Sequence, residues 1–375
     1  MIKRQLQQTI LQQLFKGKVI LLFGARRVGK TTLVKQIEKQ VDSSRYINCE
    51  LLQNKTALET TNTELLKAFI GDHRLVILDE AQAIKNIGKV LKVLIDTFPE
   101  LQIIATGSSS FELSQQTGEP LTGRSRQYCL YPFSYKELVQ HEDIVTVNAR
   151  LENILRFGLY PDVYNKTEND AAEELQNIAS NYLYKDILQF ESIRRPDLLF
   201  KLLKALAYQI GSEVSFNELS NLLGENLNTI KRYIELLEKT FIIFRLNSFS
   251  RNLRKEIAKG QKIYFHDLGI RNSIIQNHSE IFLRNDRGAL WENFFISERL
   301  KYNEYNRNFA HTYFWRTYDR QEIDYIEDLS GKLSLYECKF SGHKIAKLPL
   351  AFKGNYHASE LQIISRENFW EYLIK

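Results

Sequence analysis

The stretch VILLFGARRVGKTT, residues Val19–Thr32, joins a wholly apolar run to a turn with the pattern G-x-x-x-x-G-K-T. An apolar run of this length predicts a buried strand, and the residues after Gly29 have helical periodicity. Glycines let the loop between them fold so tightly that its backbone N–H groups converge on phosphate oxygens. A strand, a glycine-rich loop and a helix in this order predict a phosphate-binding P-loop.

This loop predicts ATP and Mg²⁺ as cofactors. The helix that follows adds partial positive charge at its N-terminus. Lys30 is expected to reach the β- and γ-phosphates, and the Thr31 hydroxyl is expected to join the Mg²⁺ shell. The expected nucleotide-binding residues are Gly24, Ala25, Arg26, Arg27, Val28, Gly29, Lys30, Thr31 and Thr32.

A second apolar run, Leu75–Leu78, ends in the two carboxylates Asp79 and Glu80. Ligands of open α/β sheets bind at the carboxyl ends of the strands, where Asp79 is expected to bind Mg²⁺. Glu80 is then expected to orient and deprotonate the attacking water. The alternative is a solvated turn after a core strand.

Further candidates follow a third run, Gln102–Ala105. Thr106 or Ser108 is expected to contact the γ-phosphate or its water, although such residues also cap helices. Arg124 is a candidate arginine finger, acting within the chain or across a subunit boundary. The alternative for Arg124 is a surface ion pair.

Residues 1–145 read as an α/β domain of the P-loop NTPase type with a parallel sheet. Its strand-type runs are apolar throughout, which favours parallel strands covered on both faces. Helices are expected at Thr31–Gln40 and Gly88–Asp96. The expected strands are Val19–Phe23, Arg45–Asn48, Leu75–Leu78, Gln102–Ala105 and Gln127–Leu130.

Five stretches, GARRVGKTTLV, LVILDEAQ, IIATGSSSFEL, LTGR and YPFSYKEL, resemble in that order the AAA-type ATPases whose C-terminal half is DUF4143. Two later stretches, FGLYP and YKDI, resemble the same family, with Leu159 where its second glycine would stand. The resemblance implies the roles given above for Lys30, Thr31, Asp79 and Glu80. It also implies coupling of nucleotide state to a partner, and a homo-oligomer.

Residues 206–275 predict a winged helix-turn-helix. A short helix, Phe216–Leu223, is followed by a second, Leu227–Leu237, and then by a β-rich stretch. The second helix carries Asn228, Thr229, Lys231 and Arg232, which suit groove and phosphate contacts with duplex DNA. Downstream, Arg245, Arg251, Arg254 and Lys255 lie among Phe244 and Phe249. The alternative is a module that only packs within the protein or binds another protein.

The last hundred residues contain a D-x₁₂-E-x-K pattern formed by Asp324, Glu337 and Lys339 on two expected strands. Two carboxylates can bind Mg²⁺, and a nearby lysine can activate water for phosphodiester attack. Glu292, on an expected helix upstream, is a further candidate ligand. The pattern resembles the restriction-endonuclease-like PD-(D/E)xK fold; the alternatives are a chance match and a fold used for binding alone.

The sequence therefore predicts four parts: an ATPase domain (1–145), a helical linker (146–205), a winged helix (206–275) and a nuclease-like domain (276–375). The 375 residues carry a net charge of +6, which permits nucleic acid as a partner without requiring it. The three cysteines have no metal-like spacing and suit a reducing compartment. No apolar run is long enough to span a membrane, and we expect a cytoplasmic protein.

These features favour a Mg²⁺-dependent ATPase whose nucleotide state controls a DNA-binding C-terminal region. The same region is a candidate for DNA cleavage. Duplex or branched DNA is the expected partner. The rival hypothesis is a nucleotide-dependent switch that binds a protein and has a non-catalytic nuclease-like domain. A third is the ATPase half of a toxin–antitoxin or phage-defence pair.

Overall fold

The computed structural model describes residues 1–108, 121–182, 195–250, 260–317, 319, 321–341, 347–356 and 360–374. These residues form two compact units. The first is built mainly from Met1–Phe133 and Lys239–Phe241, and the second from Ser134–Tyr184, Ile193–Glu238 and Ile242–Lys375.

The first unit contains a five-stranded sheet in the order β2-β3-β4-β1-β5. All neighbouring strands are parallel, so their carboxyl ends meet at one edge. Strand β4 separates β1 from β3, which brings its end between the two motifs predicted from the sequence. The strands are β1 (Val19–Phe23), β2 (Ser44–Asn48), β3 (Leu75–Asp79), β4 (Gln102–Gly107) and β5 (Ser125–Cys129).

Helices complete this unit, with α2 packed against β2, β3 and β4. One buried cluster joins alternate residues of the strands, such as Leu21 and Val76, to Leu91 and Leu94 of α5. The predicted parallel α/β sheet is therefore confirmed. The helices are α1 (Gln5–Leu11), α2 (Lys30–Glu38), α3 (Leu52–Leu58), α4 (Thr63–Ile70) and α5 (Ile87–Thr97).

The second unit begins with helices that flank a seven-stranded sheet. They are α6 (Tyr135–His141), α7 (Ile144–Ala149), α8 (Leu151–Phe157), α9 (Glu168–Asn177), α10 (Pro196–Tyr208), α11 (Phe216–Leu223), α12 (Leu227–Lys239), α13 (Leu268–Ile274), α14 (Arg287–Tyr305) and α15 (Leu350–Asn355). A capping box at Ser134 and Glu137 begins α6, and the Ser215 side chain caps α11.

The sheet of the second unit has the order β12-β11-β10-β9-β7-β8-β6. Strands β7 and β9 are parallel, so strands on both sides of the boundary predicted at residues 275 and 276 form one sheet. The strands are β6 (Glu213–Val214), β7 (Ile243–Ser248), β8 (Gln261–Phe265), β9 (His311–Arg316), β10 (Glu322–Leu329), β11 (Lys332–Cys338) and β12 (Leu361–Ile364). In the part of the chain that is described, no helix has the length and apolar character needed to cross a bilayer.

Candidate functional site

The phosphate loop follows β1 at the carboxyl edge of the first sheet. Gly24 has a φ of 152°, and a Cβ there would lie 2.2 Å from the carbonyl oxygen of Leu130. Gly29, the residue before α2, has a φ of 96°. Glycine is therefore required at Gly24 by both space and backbone conformation, and at Gly29 by conformation.

Lys30 is the first residue of α2 and is only 4% exposed. Its ammonium donates hydrogen bonds to the carbonyl oxygens of Gly24 and Ala25 at 2.8 and 2.9 Å. The first N–H groups of α2 have no partners within the helix and point towards the same loop. A lysine and a helix N-terminus thus concentrate positive charge where the sequence predicts phosphate.

Arg4 forms a hydrogen bond with the phosphate loop and was not predicted as a site residue. Its guanidinium donates to the carbonyl oxygens of Val28 at 2.7 Å and Tyr131 at 2.5 Å, and it lies over the ring of Phe133. The side chain is 5% exposed. Arg4 therefore ties the phosphate loop to the segment after β5, a contact between distant residues that no local pattern reveals.

Three hydroxyl groups converge on the carboxylate of Asp79 at the end of β3. Thr31 and Tyr46 donate to Oδ2 at 2.8 and 2.5 Å, and Thr106 donates to Oδ1 at 2.5 Å. Tyr46 lies on β2, next to β3 in the sheet, and was also missed by the sequence analysis. Because all three donors are neutral, they fix the position of the carboxylate without neutralising its charge.

Thr106 also positions Glu80, because its Oγ1 accepts the Glu80 N–H at 3.0 Å. Glu80 has a φ of 53°, in the left-handed region that side-chain-bearing residues adopt infrequently. Its carboxylate accepts a hydrogen bond from the Gln82 amide. The structure thus brings Thr106 and Glu80 together with Asp79, as the strand-end positions predicted.

The other residues predicted for this site lie in the loop or near it. Ser108 is buried immediately after β4, and Thr32 is exposed on the first turn of α2. Arg26, Arg27 and Val28 form the middle of the loop, where Arg27 has a φ of 62°.

Arg124 lies at the opposite edge of the sheet. Its carbonyl oxygen accepts the N–H of Val19 at the beginning of β1, and its guanidinium pairs with Asp96 at 2.6 Å. Parallel strands place the beginning of β5 far from the carboxyl ends that carry Lys30 and Asp79. A finger acting on the nucleotide of its own chain is therefore contradicted, and a role across a subunit boundary stays a prediction.

The residues present at this edge fit ATP and Mg²⁺. The loop and Lys30 supply positive charge for phosphates, while Asp79 and Thr31 supply the oxygen ligands that Mg²⁺ prefers. Mg²⁺, when bound, neutralises charge on the β- and γ-phosphate oxygens.

A second group of charged residues lies in the second unit. Asp324 on β10 is directly opposite Glu337 on β11, because their neighbours Tyr325 and Tyr336 are paired in antiparallel register. Asp324 accepts the N–H of Cys338 at 2.7 Å, and Lys339 donates to Oε1 of Glu337 at 2.5 Å. Burial, and after it the charges of Glu292 and Glu337, raise the pKa of Asp324 well above its ordinary value.

Glu292 has partners that the sequence did not predict. Its Oε1 accepts hydrogen bonds from Lys262 at 2.9 Å and from Tyr264 at 2.6 Å, both on β8. Lys262 also pairs with Glu322 at 2.5 Å. In the described residues, no three His, Cys, Asp or Glu side chains are placed to hold a metal ion. Glu292, Asp324 and Glu337 therefore lie near one another but are not arranged to hold a metal ion, because Lys262 and Tyr264 of β8 bond to Glu292.

The comparisons with known proteins divide the chain into three. Residues 16–139 match a family model for an AAA domain, residues 148–280 match a domain of unknown function (DUF8612) and residues 287–368 match another (DUF4143). The matches support an AAA-type ATPase domain joined to a C-terminal DUF4143 domain.

Relatives align with most of the chain. An uncharacterized protein of Mycobacterium tuberculosis is 26% identical over 341 residues, covering 90% of this chain and 74% of the relative. An uncharacterized protein of Methanocaldococcus jannaschii is 29% identical over 310 residues, covering 76% and 67%. Among solved structures, the Walker-type ATPase of Pyrococcus abyssi has 16% identity and a TM-score of 0.49, covering 73% of this chain and 96% of its own.

Along the chain, the residues of the predicted DNA-binding surface fall between the AAA match and the DUF4143 match. Asn228, Lys231 and Arg232 are exposed on α12, and Thr229 is half-buried. Arg245 pairs with Glu238, whereas Arg251, Arg254 and Lys255 lie outside the described residues. Phe244 and Phe249 are buried, at 9% and 4% exposure, so their rings are not available to stack on nucleic acid.

Proposed function

We propose that the chain is a Mg²⁺-dependent ATPase whose nucleotide state controls a DNA-binding region. The observation that carries the ATPase proposal is the convergence of Thr31, Tyr46 and Thr106 on Asp79, next to Lys30 in the phosphate loop.

Each residue has a role in this reaction. Lys30 and the loop N–H groups hold the phosphates, and Asp79 and Thr31 hold Mg²⁺. Glu80, fixed by Thr106, accepts a proton from the water that attacks the γ-phosphorus. The bond from the γ-phosphorus to the bridging oxygen breaks, and ADP and phosphate leave.

Lys30→Ala tests this proposal, with Lys39→Ala as the matched control on the exposed end of the same helix. We expect Lys30→Ala to abolish measurable ATP turnover while Lys39→Ala keeps it. Unchanged turnover in Lys30→Ala would disprove the assignment.

Control of DNA binding is supported by the region around α11 and α12. Helix α10, strand β6, helices α11 and α12 and the hairpin β7–β8 follow the order of a winged helix. In that arrangement the second helix reads DNA, and α12 exposes Asn228, Lys231 and Arg232. Duplex or branched DNA is therefore the proposed partner.

Lys231→Glu and Arg232→Glu test this surface. They should weaken DNA binding and flatten its dependence on salt, because phosphate contacts release counterions. Lys201→Glu, exposed on α10, is the charge-matched control. If the wild type binds no DNA at low salt with or without ATP, the rival hypothesis of a switch with a protein partner replaces this one.

A second candidate function is metal-dependent cleavage of DNA by the DUF4143 domain. It is favoured by one oxygen, Oε2 of Glu337, which is buried, has no hydrogen-bond partner among the described residues and suits a cation. Asp324 and Glu337 would hold the metal, whose chemistry is the activation of water, and Lys339 would contact the phosphate. Plasmid and branched DNA, incubated with wild type and Asp324→Ala in Mg²⁺ or Mn²⁺, test it; intact DNA with the wild type counts against cleavage.

A further inference from the structure

Lys262 is a buried lysine that comes from outside the DUF4143 domain. It lies on β8 and is 1% exposed. Its ammonium is 2.9 Å from Oε1 of Glu292 and 2.5 Å from Oε1 of Glu322, and it lies over the ring of Phe314. A buried ammonium is costly unless anions surround it, and here the surrounding anions belong to the carboxylate cluster of the C-terminal site.

This carboxylate cluster consists of Glu292, Glu322, Asp324 and Glu337. Lys339 balances Glu337 from the surface, where it is 46% exposed. Arg316 approaches Glu322 no closer than 3.8 Å. Lys262 is therefore the cation that neutralises the buried side of the carboxylate cluster.

Strand β8 supplies a second donor to the same place. Lys262 and Tyr264 are two residues apart on one strand and so lie on one face. Both donate to Oε1 of Glu292, so the lone pairs of that oxygen are already used. A divalent metal takes six or more oxygen ligands at about 2.0–2.6 Å and would compete directly with these donors.

We propose that Lys262 is the resident cation of the carboxylate cluster and that its ammonium excludes divalent metal ions. This inference rests on the second candidate function, since it concerns metal binding at the site proposed there. Lys262 is the second residue of β8 and pairs with Leu246 of β7, the strand that follows α12.

Binding of Mn²⁺ to the nucleotide-free full chain tests the proposal. All proteins carry Asp79→Asn, which removes the metal ligand of the ATP site, and bound Mn²⁺ is counted by electron paramagnetic resonance and calorimetry. We expect Lys262→Met to bind one more Mn²⁺ per chain than the parent does. Its affinity for that ion should exceed the parent's by about tenfold or more, given the coupling energies of close charge pairs. Lys262→Arg, which keeps the charge, should resemble the parent, and adding Asp324→Asn to Lys262→Met should remove the gained ion.

Two results would overturn the proposal. One is a parent protein that already binds a Mn²⁺ ion removed by Asp324→Asn. The other is a Lys262→Met protein that gains no ion, including one that stays unfolded when Mn²⁺ is added during refolding. Neither readout uses ATP turnover or DNA cleavage, so failure of the proposed activities leaves the Mn²⁺ counts interpretable.

Discussion

Asp79 in the AAA domain and Asp324 in the DUF4143 domain are both buried aspartates near paired strands, yet their surroundings differ in kind. Asp79 is held by three neutral hydroxyl groups. Asp324 lies among carboxylates, with the ammonium of Lys262 close enough to stabilise its anion. Neutral donors position a carboxylate and leave its charge available for a metal, whereas the buried ammonium of Lys262 offsets part of the negative charge around Asp324.

The surroundings of Asp79 keep the neighbouring hydroxyl of Tyr46 and thiol of Cys49 protonated. Burial, and next the hydrogen bond to Asp79, raise the pKa of the Tyr46 hydroxyl far above its ordinary value. Burial and the charges of Asp79 and Glu80 raise the pKa of the Cys49 thiol to about 12. Both groups therefore stay protonated at neutral pH, so neither adds negative charge to that of Asp79 and Glu80.

The largest effect is expected at Glu80. Glu80→Gln removes the proton acceptor but keeps the shape, so ATP turnover should fall by about 10²–10⁴-fold. Binding of ATP, measured by equilibrium dialysis, should change little, because no phosphate contact is lost. Retained turnover would show that another group accepts the proton; Glu38→Gln, at the end of α2, is the control.

Lys262→Met should give the next largest effect, on stability. The change leaves Glu292 without its cation and Glu322 with Arg316 alone, at 3.8 Å. Because Lys262 is itself buried, the loss should approach the cost of breaking a buried ion pair, about 3–5 kcal/mol. Urea unfolding of the full chain in EDTA, followed through the second unit, measures the loss in free energy of unfolding. The control is Lys332→Met at an exposed position of β11, which should stay within about 0.5 kcal/mol of wild type. An equally small loss of stability for Lys262→Met would show that the carboxylates around Asp324 do not depend on this ammonium. The difference drawn here between Asp324 and Asp79 would then be wrong.

The two aspartates also show what sequence can predict. β1 begins and ends where the sequence predicted, and β3 and β4 extend the prediction by one and two residues. Their apolar runs and motif residues are local signals. Asp324, Glu337 and Lys339 also came together as predicted, because a short hairpin fixes their register.

The missed residues are long-range partners. Tyr46 contacts Asp79 only because β2 lies next to β3 in the sheet. Arg4 bonds to Val28 and Tyr131, which lie 24 and 127 residues further along the chain. Lys262 is 30 residues from Glu292 along the chain. No periodicity or spacing encodes such contacts, which depend on strand order and packing.

Tyr46→Phe should have a smaller effect that concerns Mg²⁺ alone. The hydroxyl positions Asp79 but contacts no phosphate, so losing one hydrogen bond of about 1 kcal/mol should raise the Mg²⁺ concentration for half-maximal turnover about fivefold. ATP binding in EDTA should stay the same. Tyr208→Phe, at a position 63% exposed, is the control. If both variants leave the Mg²⁺ requirement unchanged, Tyr46 has no role in positioning Asp79.

Arg124→Ala should have the smallest effect within one chain. Its partner Asp96 differs from Asp79 and Asp324, because the pair is exposed. The side chains of Arg124 and Asp96 are 42% and 44% exposed, so solvent screens their charges. Such pairs contribute about 0–1 kcal/mol, so stability should hardly change. ATP turnover should also be unchanged at low protein concentration, because Arg124 lies at the edge away from Lys30. A loss of about 10³-fold that develops only as protein concentration rises would instead identify Arg124 as a finger supplied by a neighbouring chain.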